Sequence, residues 1–283
     1  MPAFTWDVDP ILLHFPASWS SLPVDGIRYY SLLFVGVFLG GYHLYDWQLR
    51  RAGADPEEAQ DFVLYGVLAV LVGARLGHAI FYEWGRLADD PGWLLEIHRG
   101  GLSSHGALLG LALAMLIFTR RRRQSFVEGC DRFAFSAALG AILVRIGNLF
   151  NSEIVGRETG SDFGMRFPRY DGYIDPPLRH PSQLYEALLG VLVFVALVLA
   201  DRAWGKEARP RGALISLFLA LYFIGRFIVE LFKAYQPHEF WAGLTTGQWL
   251  SIAPAALGCA GLYWSLKQGI PAGWTSPRNA GDT

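Results

Sequence analysis

The chain is predicted to be an all-α integral membrane protein with seven transmembrane helices, its N-terminus outside, its C-terminus cytoplasmic and a small cap on the outer side. Three observations predict this. Of the 283 residues, 52% are hydrophobic and 17% charged, with 10 tryptophans, and the mean hydropathy is +0.27. Seven runs reach the length, about 20 mostly apolar residues, that crosses a hydrocarbon core. Lysine and arginine gather in alternate connections, as they do when one set of loops stays in the cytoplasm. Inside hydrocarbon the backbone must satisfy its own hydrogen bonds, so each run is expected as a helix.

The first run, Tyr29 to Trp47, closes just before Arg50 and Arg51, and the second is Phe62 to Trp84. The third, Gly101 to Thr119, follows a glycine pair that permits a sharp entry and ends on a block of arginines, Arg120 to Arg123. The fourth is Phe133 to Phe150, the fifth Pro181 to Ala200, the sixth Gly212 to Phe232 and the seventh Gly247 to Leu266. Connections are short and no repeat is visible, so residues 1–283 are expected as a single domain. The longest loop, about 151–180, is rich in Gly, Pro, Asp and aromatics and is expected as the external cap. The stretch Glu83 to Arg99 is expected along the membrane surface, with Trp84, Trp93, Phe240 and Trp241 as interfacial aromatics. The tail, about 269–283, is expected to be disordered.

Orientation follows from the basic residues. Arg50 and Arg51, Arg120 to Arg123, then Arg202, Lys206, Arg209 and Arg211, and finally Lys267 and Arg278 follow the odd-numbered runs. The other side holds Arg28, Arg86, Arg99 and Lys233, with Arg157, Arg166, Arg169 and Arg179 in the long loop. That loop weakens the bias without reversing it. The first 28 residues have no basic start and several prolines, and do not read as a cleaved signal peptide.

With this topology, Tyr30, Arg75, His105, Arg145, Asn148, Arg226 and Glu230 all fall toward the outer side. An ionisable group at the centre of a membrane helix costs roughly 2.5–3.5 kcal/mol on insertion scales, so a retained one marks function by default. Arg145 and Asn148 are three apart and share a face; Arg226 and Glu230 are four apart and placed to pair. Taken singly, Arg75 could snorkel to headgroups, Arg226 and Glu230 could be a structural pair, and His105 could sit in a glycine-rich helix contact. Convergence on one side argues against independent snorkelling, which would populate both faces. The cytoplasmic half is read as comparatively bare.

Buried arginines recognise phosphate by forked hydrogen bonds, and the outer leaflet supplies phosphate as lipid headgroups, so a phospholipid is the expected ligand. There is no glycine-rich nucleotide loop, no HExxH and no paired-aspartate pattern, and the two cysteines, Cys130 and Cys259, lie far apart in the topology. Neither a metal nor a cofactor is expected, nor a nucleic-acid partner. One rival is a transporter or channel for an anionic solute or lipid, which would continue polar residues to the cytoplasmic face. Another is a serine hydrolase using Ser103 or Ser104 with His105, but neighbours on a helix point in different directions.

The segment Arg145-Ile-Gly-Asn148-Leu-Phe-Asn151-Ser-Glu153-Ile-Val-Gly156-Arg157 resembles the signature of the bacterial prolipoprotein diacylglyceryl transferases. Gly100-Gly101-Leu-Ser-Ser-His105-Gly106, His180-Pro-Ser-Gln183-Leu-Tyr185-Glu186 and Gly225-Arg226-Phe-Ile-Val-Glu230-Leu-Phe resemble further blocks of that family, in the same order. Tyr30 falls where the family has a tyrosine opening its first helix, and Gly73-Ala-Arg75-Leu-Gly77 resembles its second-helix motif. Val144, Leu149, Ala107 and Lys233 depart from the usual residues at their positions, but none removes a proposed catalytic side chain.

The resemblance implies a multi-pass enzyme of the bacterial inner membrane, acting toward the outer leaflet. It would move the diacylglyceryl group of phosphatidylglycerol onto the lipobox cysteine of a prolipoprotein, form a thioether and release glycerol phosphate. A thiol of pKa near 8.5 needs a base, and His105 is the candidate because imidazole titrates near neutrality. Arg145 and Arg226 are expected to stabilise charge on the departing phosphate, and Tyr30 to hydrogen-bond the phosphate or the base. Glu230 would orient Arg226. Asn148, Asn151 and Glu153 would hold the headgroup and Gly156 would permit a turn. Arg75, His180, Gln183, Tyr185 and Glu186 complete the expected substrate-binding set.

Overall fold

The computed structural model describes residues 4–16, 18, 25–96, 100–172, 175–234 and 240–274. Short strands β1 (Phe4–Thr5), β2 (Ile11–His14) and β3 (Gly26–Arg28) precede α1 (Tyr29–Arg51). Then come α2 (Glu58–Tyr82), the short α3 (Trp84–Asp89), α4 (Ser104–Arg121) and α5 (Phe126–Phe150). After β4 (Met165–Arg166) and a single turn α6 (Pro168–Asp171) follow α7 (Ser182–Ala203) and α8 (Ala213–Val229), which continues as a 3-10 turn through Phe232. Strands β5 (Phe240–Trp241) and β6 (Leu244–Thr245) lead into α9 (Thr246–Gln268).

All seven apolar runs are helical. Among the described residues, five helices, α2, α5, α7, α8 with its 3-10 turn, and α9, are long and apolar enough to cross a membrane. The helices extend beyond the apolar runs at their charged ends: α1 takes in Arg50 and Arg51, and α5 begins seven residues before Phe133.

Contacts group the chain into two compact units, one of residues 1–44 and 133–272, the other of 45–132 and 273–283. The first unit has a core of Phe135, Val193, Leu197, Leu214 and Phe218. Helices α8 and α9 approach closely enough that a Cβ on Gly258 would lie 2.3 Å from the Ala220 nitrogen. A Thr245–Gln248 capping box fixes the start of α9. The loop after α5 is also structured. β1 pairs in parallel with β4, Leu149, Val155, Met165 and Phe167 form a small core against Trp6, and Arg179 binds Asp171 at 2.6 Å.

In the second unit, α2 and α4 meet through small residues. A Cβ on Gly106 would stand 2.1 Å from the Gly73 carbonyl oxygen, and one on Gly110 2.1 Å from that of Ala69. This is the close backbone approach that drives helix association in membranes. Three expectations need correction here. Gly269 to Trp274, expected as part of a disordered tail, is anchored: the amide of Ala272 donates to the Arg209 carbonyl at 2.8 Å, and within the second unit Trp274 is buried and donates to Glu58 at 3.0 Å. The end expected to be cytoplasmic is not bare, since Gln48, Glu58, Glu128 and Arg132 are fully buried and Arg132 pairs with Glu128 at 2.7 Å. Those residues precede or follow the apolar runs and were invisible to a count made inside them. Trp93, expected at the interface, is buried beneath the guanidinium of Arg75 at 4.2 Å and that of Arg86 at 4.5 Å. Trp84 and Leu95 are exposed. Residues 97–99, residues 275–283 and the side chains of Phe240 and Trp241 lie outside the described residues.

Candidate active site

The first unit gathers cations from α5, from α8 and from the turn that follows it around one carboxylate on α7. Glu186, in the first turns of α7, is 1% exposed. Arg145 Nη1 reaches its Oε2 at 3.1 Å, Arg226 Nη1 its Oε1 at 3.2 Å, and Lys233 Nζ the same Oε1 at 3.2 Å. Lys233 also pairs with Glu230 at 2.9 Å. Three cations thus share two carboxylates, an excess of one positive charge over the groups they contact. Spacing by four pointed to an Arg226–Glu230 pair. The ion pairs found run from Arg226 across to α7 and from Glu230 to Lys233 in the next turn. Glu230 packs against Gly247, where a Cβ would fall 2.3 Å from the carboxylate oxygen.

A chain of amides leads away from Arg145. Its Nη1 donates to Asn148 Oδ1 at 3.4 Å, and Asn148 Nδ2 donates to Glu153 Oε1 at 2.7 Å. Asn151 Nδ2 donates to the same oxygen at 3.3 Å, and Gln183 Nε2 to the Glu153 carbonyl at 2.8 Å. These donors fix the orientation of both amides, leaving Asn151 Oδ1 and Gln183 Oε1 as buried acceptors with no hydrogen-bond partner among the described residues. Each such group costs about 1–3 kcal/mol unless a ligand or water supplies a donor. The Tyr30 hydroxyl lies in the electrostatic field of Glu153 and Arg145.

The backbone that presents Glu153 is strained. Glu153 donates to the Asn148 carbonyl at 3.0 Å and Ser152 to that of Leu149 at 2.9 Å, the bond pattern of a Schellman C-cap on α5. Ser152 therefore occupies the left-handed position usually given to glycine, at φ +52°, and Ile154 follows at +57°. Such conformations concentrate at functional sites. Gly156 serves close approach rather than a left-handed turn: a Cβ there would meet the His180 carbonyl oxygen at 2.2 Å and that of Phe232 at 2.7 Å. It brings three segments together, with Gly156 donating to His180 and Arg157 to Phe232, each at 2.9 Å. His180 Nδ1 lies 3.1 Å from the Tyr185 hydroxyl, and its ring packs edge-on against Phe232 at 5.1 Å. Burial, and then the Arg157 cation, push its pKa below the ordinary value.

Arg75 and His105 belong to the second unit. Arg75, 3% exposed, gives all its donors to backbone carbonyls: Nε to Leu94 at 3.1 Å, Nη1 to Gly100 at 2.5 Å and Gly101 at 3.2 Å, Nη2 to Trp93 at 2.6 Å and Glu96 at 3.3 Å. A guanidinium has five N–H donors, and none remains for a phosphate. Arg75 is thus a clamp on the connection between α2 and α4 rather than a substrate contact, as the sequence had placed it. His105 is exposed in the first turn of α4, next to the Gly106 contact with α2.

Sequence reasoning gave no site role to Lys233, Tyr222 or Gly247. Tyr222 is an electrostatic and hydrogen-bonding neighbour of Arg145. Its position, four before Arg226 and eight before Glu230, puts it on their helical face, and Lys233 follows Glu230 by three. That periodicity was the available signal. No comparable pattern marks Gly247.

The family model of prolipoprotein diacylglyceryl transferase matches residues 18–264. This chain belongs to the prolipoprotein diacylglyceryl transferase family. Relatives named phosphatidylglycerol–prolipoprotein diacylglyceryl transferase include one from Idiomarina loihiensis, 37% identical over 273 residues, 94% of this chain and 96% of that protein. Another, from Nitrosomonas europaea, is 38% identical over 253 residues, 85% of this chain and 86% of that protein, and one from Chloroherpeton thalassium is 37% identical over 270 residues, 93% and 94%. The match to this transferase family takes in all four ordered motif blocks and favours the lipid-transfer reading over the anion-transporter reading.

Proposed function

We propose that the protein transfers the diacylglyceryl group of phosphatidylglycerol to the lipobox cysteine thiol of prolipoproteins, as a seven-span enzyme of the bacterial inner membrane. The N-terminus is outside, and the site opens toward the outer leaflet beneath a cap formed by residues 151–180. The observation that carries this reading is the convergence of Arg145, Arg226 and Lys233 on buried Glu186.

The thiolate attacks the glycerol carbon that bears the phosphoester. The carbon–oxygen bond breaks, and its electron pair leaves with glycerol phosphate. The reaction is a displacement, and its difficulty lies in charge gathering on the leaving phosphate. Arg145 and Arg226 stabilise that charge as preorganised donors in a site of low dielectric, where loss of one such donor costs about 100–1,000-fold in rate. Glu186 sets the spacing of the two guanidinium groups. Glu230 and Lys233 hold the far side, and Tyr30 donates to the phosphate. The unpaired oxygens of Asn151 and Gln183 are acceptors of the type that glycerol hydroxyls require. Asn148 and Glu153 keep those amides in place, while Gly156, His180 and Tyr185 fix the wall. His105 takes the thiol proton, and Arg75 acts by shaping the loop that precedes α4.

The test is incubation of detergent-purified protein with labelled phosphatidylglycerol and a lipobox peptide, alongside the same peptide with Cys→Ser, read by mass analysis. A diacylglyceryl thioether on the cysteine peptide alone is expected. His105→Gln and Arg145→Ala should each abolish it while the protein still inserts. Labelling of the serine peptide, or no product from the wild type, overturns the reading.

A further inference from the structure

We propose that the groove between α2 and α4 binds an anionic phospholipid, with an acyl chain along the groove and the phosphate at its Arg121–Arg122 end. The groove has a volume of about 640 Å³, and Tyr65, Leu68, Val72 and Leu76 on α2 face Leu113 and Ile117 on α4 along it. It follows from the way the two helices pack. Backbone contact at Gly106 and Gly110 leaves Ala69, Gly73, Gly110 and Ala114 as a thin floor, while exposed Leu68, Val72 and Leu113 stand on either side.

Its polarity is graded from end to end. Charged residues line only one end, where Arg121 is exposed and Arg122 is held at the mouth by an ion pair with Asp61. Arg120 and Arg123 flank them in the chain. From Gly110 to Arg122 the helix rises about 18 Å, close to the thickness of one leaflet's hydrocarbon, about 15 Å. A chain lying in the groove therefore brings its own phosphate to the guanidinium groups, which recognise phosphate oxygens by paired donors. His105 lies about 24 Å away along the same helix, so this site is separate from the one proposed for lipid transfer. On the topology read from the sequence, its lipid comes from the cytoplasmic leaflet.

The full-length protein is placed in phosphatidylcholine nanodiscs containing a trace of phosphatidylglycerol with a diazirine in its acyl chain. Parallel samples carry the same acyl chain on phosphatidylcholine, and labelled peptides are mapped after irradiation. The anionic probe is expected to label residues 65–76 and 113–117 several-fold more than the zwitterionic probe. Replacing Arg121 and Arg122 by Gln should reduce that labelling by about fivefold per arginine. Val72→Trp, which fills the groove and leaves every charge in place, should reduce it as well. Equal labelling by the two probes, or labelling that survives both variants, identifies ordinary annular lipid and overturns the proposal. Cross-links from this face to a second copy in place of lipid also overturn it.

Discussion

Glu186 is where removing one charge has the largest expected effect. Its carboxylate is buried and is shared by Arg145, Arg226 and Lys233, so Glu186→Gln takes the shared countercharge from three largely buried cations. Breaking a buried pair by removing one partner costs about 3–5 kcal/mol. The unfolding midpoint in detergent should drop accordingly, and lipid transfer should fall even in protein that remains folded. His180 gives a pH signature. Because burial and Arg157 lower its folded pKa, the unfolded ring gains its proton first as pH falls below the ordinary 6.5. Stability of the 151–180 segment should hold above that pH, decline below it and level off under the lowered native pKa. Proteolysis across this range should follow that course, and His180→Phe should flatten it. Individual arginines were legible in the sequence because hydrocarbon makes them conspicuous. Their partners were less so. That Arg75 serves five carbonyls depends on where the chain after α3 returns, which no local pattern encodes.

Long helices were the most legible level, because a backbone in lipid has few alternatives. All seven runs became helices, with ends displaced into charged residues that favour helix but not hydrocarbon. The contact between α2 and α4 rests on atoms that the sequence displays only as spaced glycines. Gly110→Ala places a methyl 2.1 Å from the Ala69 carbonyl oxygen, and the helices must part. Overpacking of this kind costs about 1–3 kcal/mol, which should appear as a lower thermal midpoint in detergent. The cap of α5 was harder to foresee, since serine and isoleucine take positions where glycine is the usual choice. Holding Glu153 against the amides of Asn148 and Asn151 is what that backbone accomplishes.

At the scale of the molecule, the arrangement of charge supports the functional reading. The first unit brings Arg145, Arg226 and Lys233 to one carboxylate, and the second encloses buried polar contacts of its own, with Arg132 on Glu128 and the Trp274 indole on Glu58. The Trp274 contact was missed because a disordered tail was expected after Gln268. Trp274→Ala should therefore destabilise the second unit by about 3–5 kcal/mol, seen as faster hydrogen exchange in α2 and α4 without a change in the unfolding of α8 and α9.

The central claim is that forked guanidinium donors around Glu186 stabilise the phosphate as it departs. It is tested most directly by the single-turnover rate of thioether formation in Arg145→Lys, which keeps the charge and loses the fork. A fall of about 100-fold or more, with binding of phosphatidylglycerol and lipobox peptide retained, is the predicted result. A rate within about fivefold of wild type, less than about 1 kcal/mol of transition-state energy, would contradict the account.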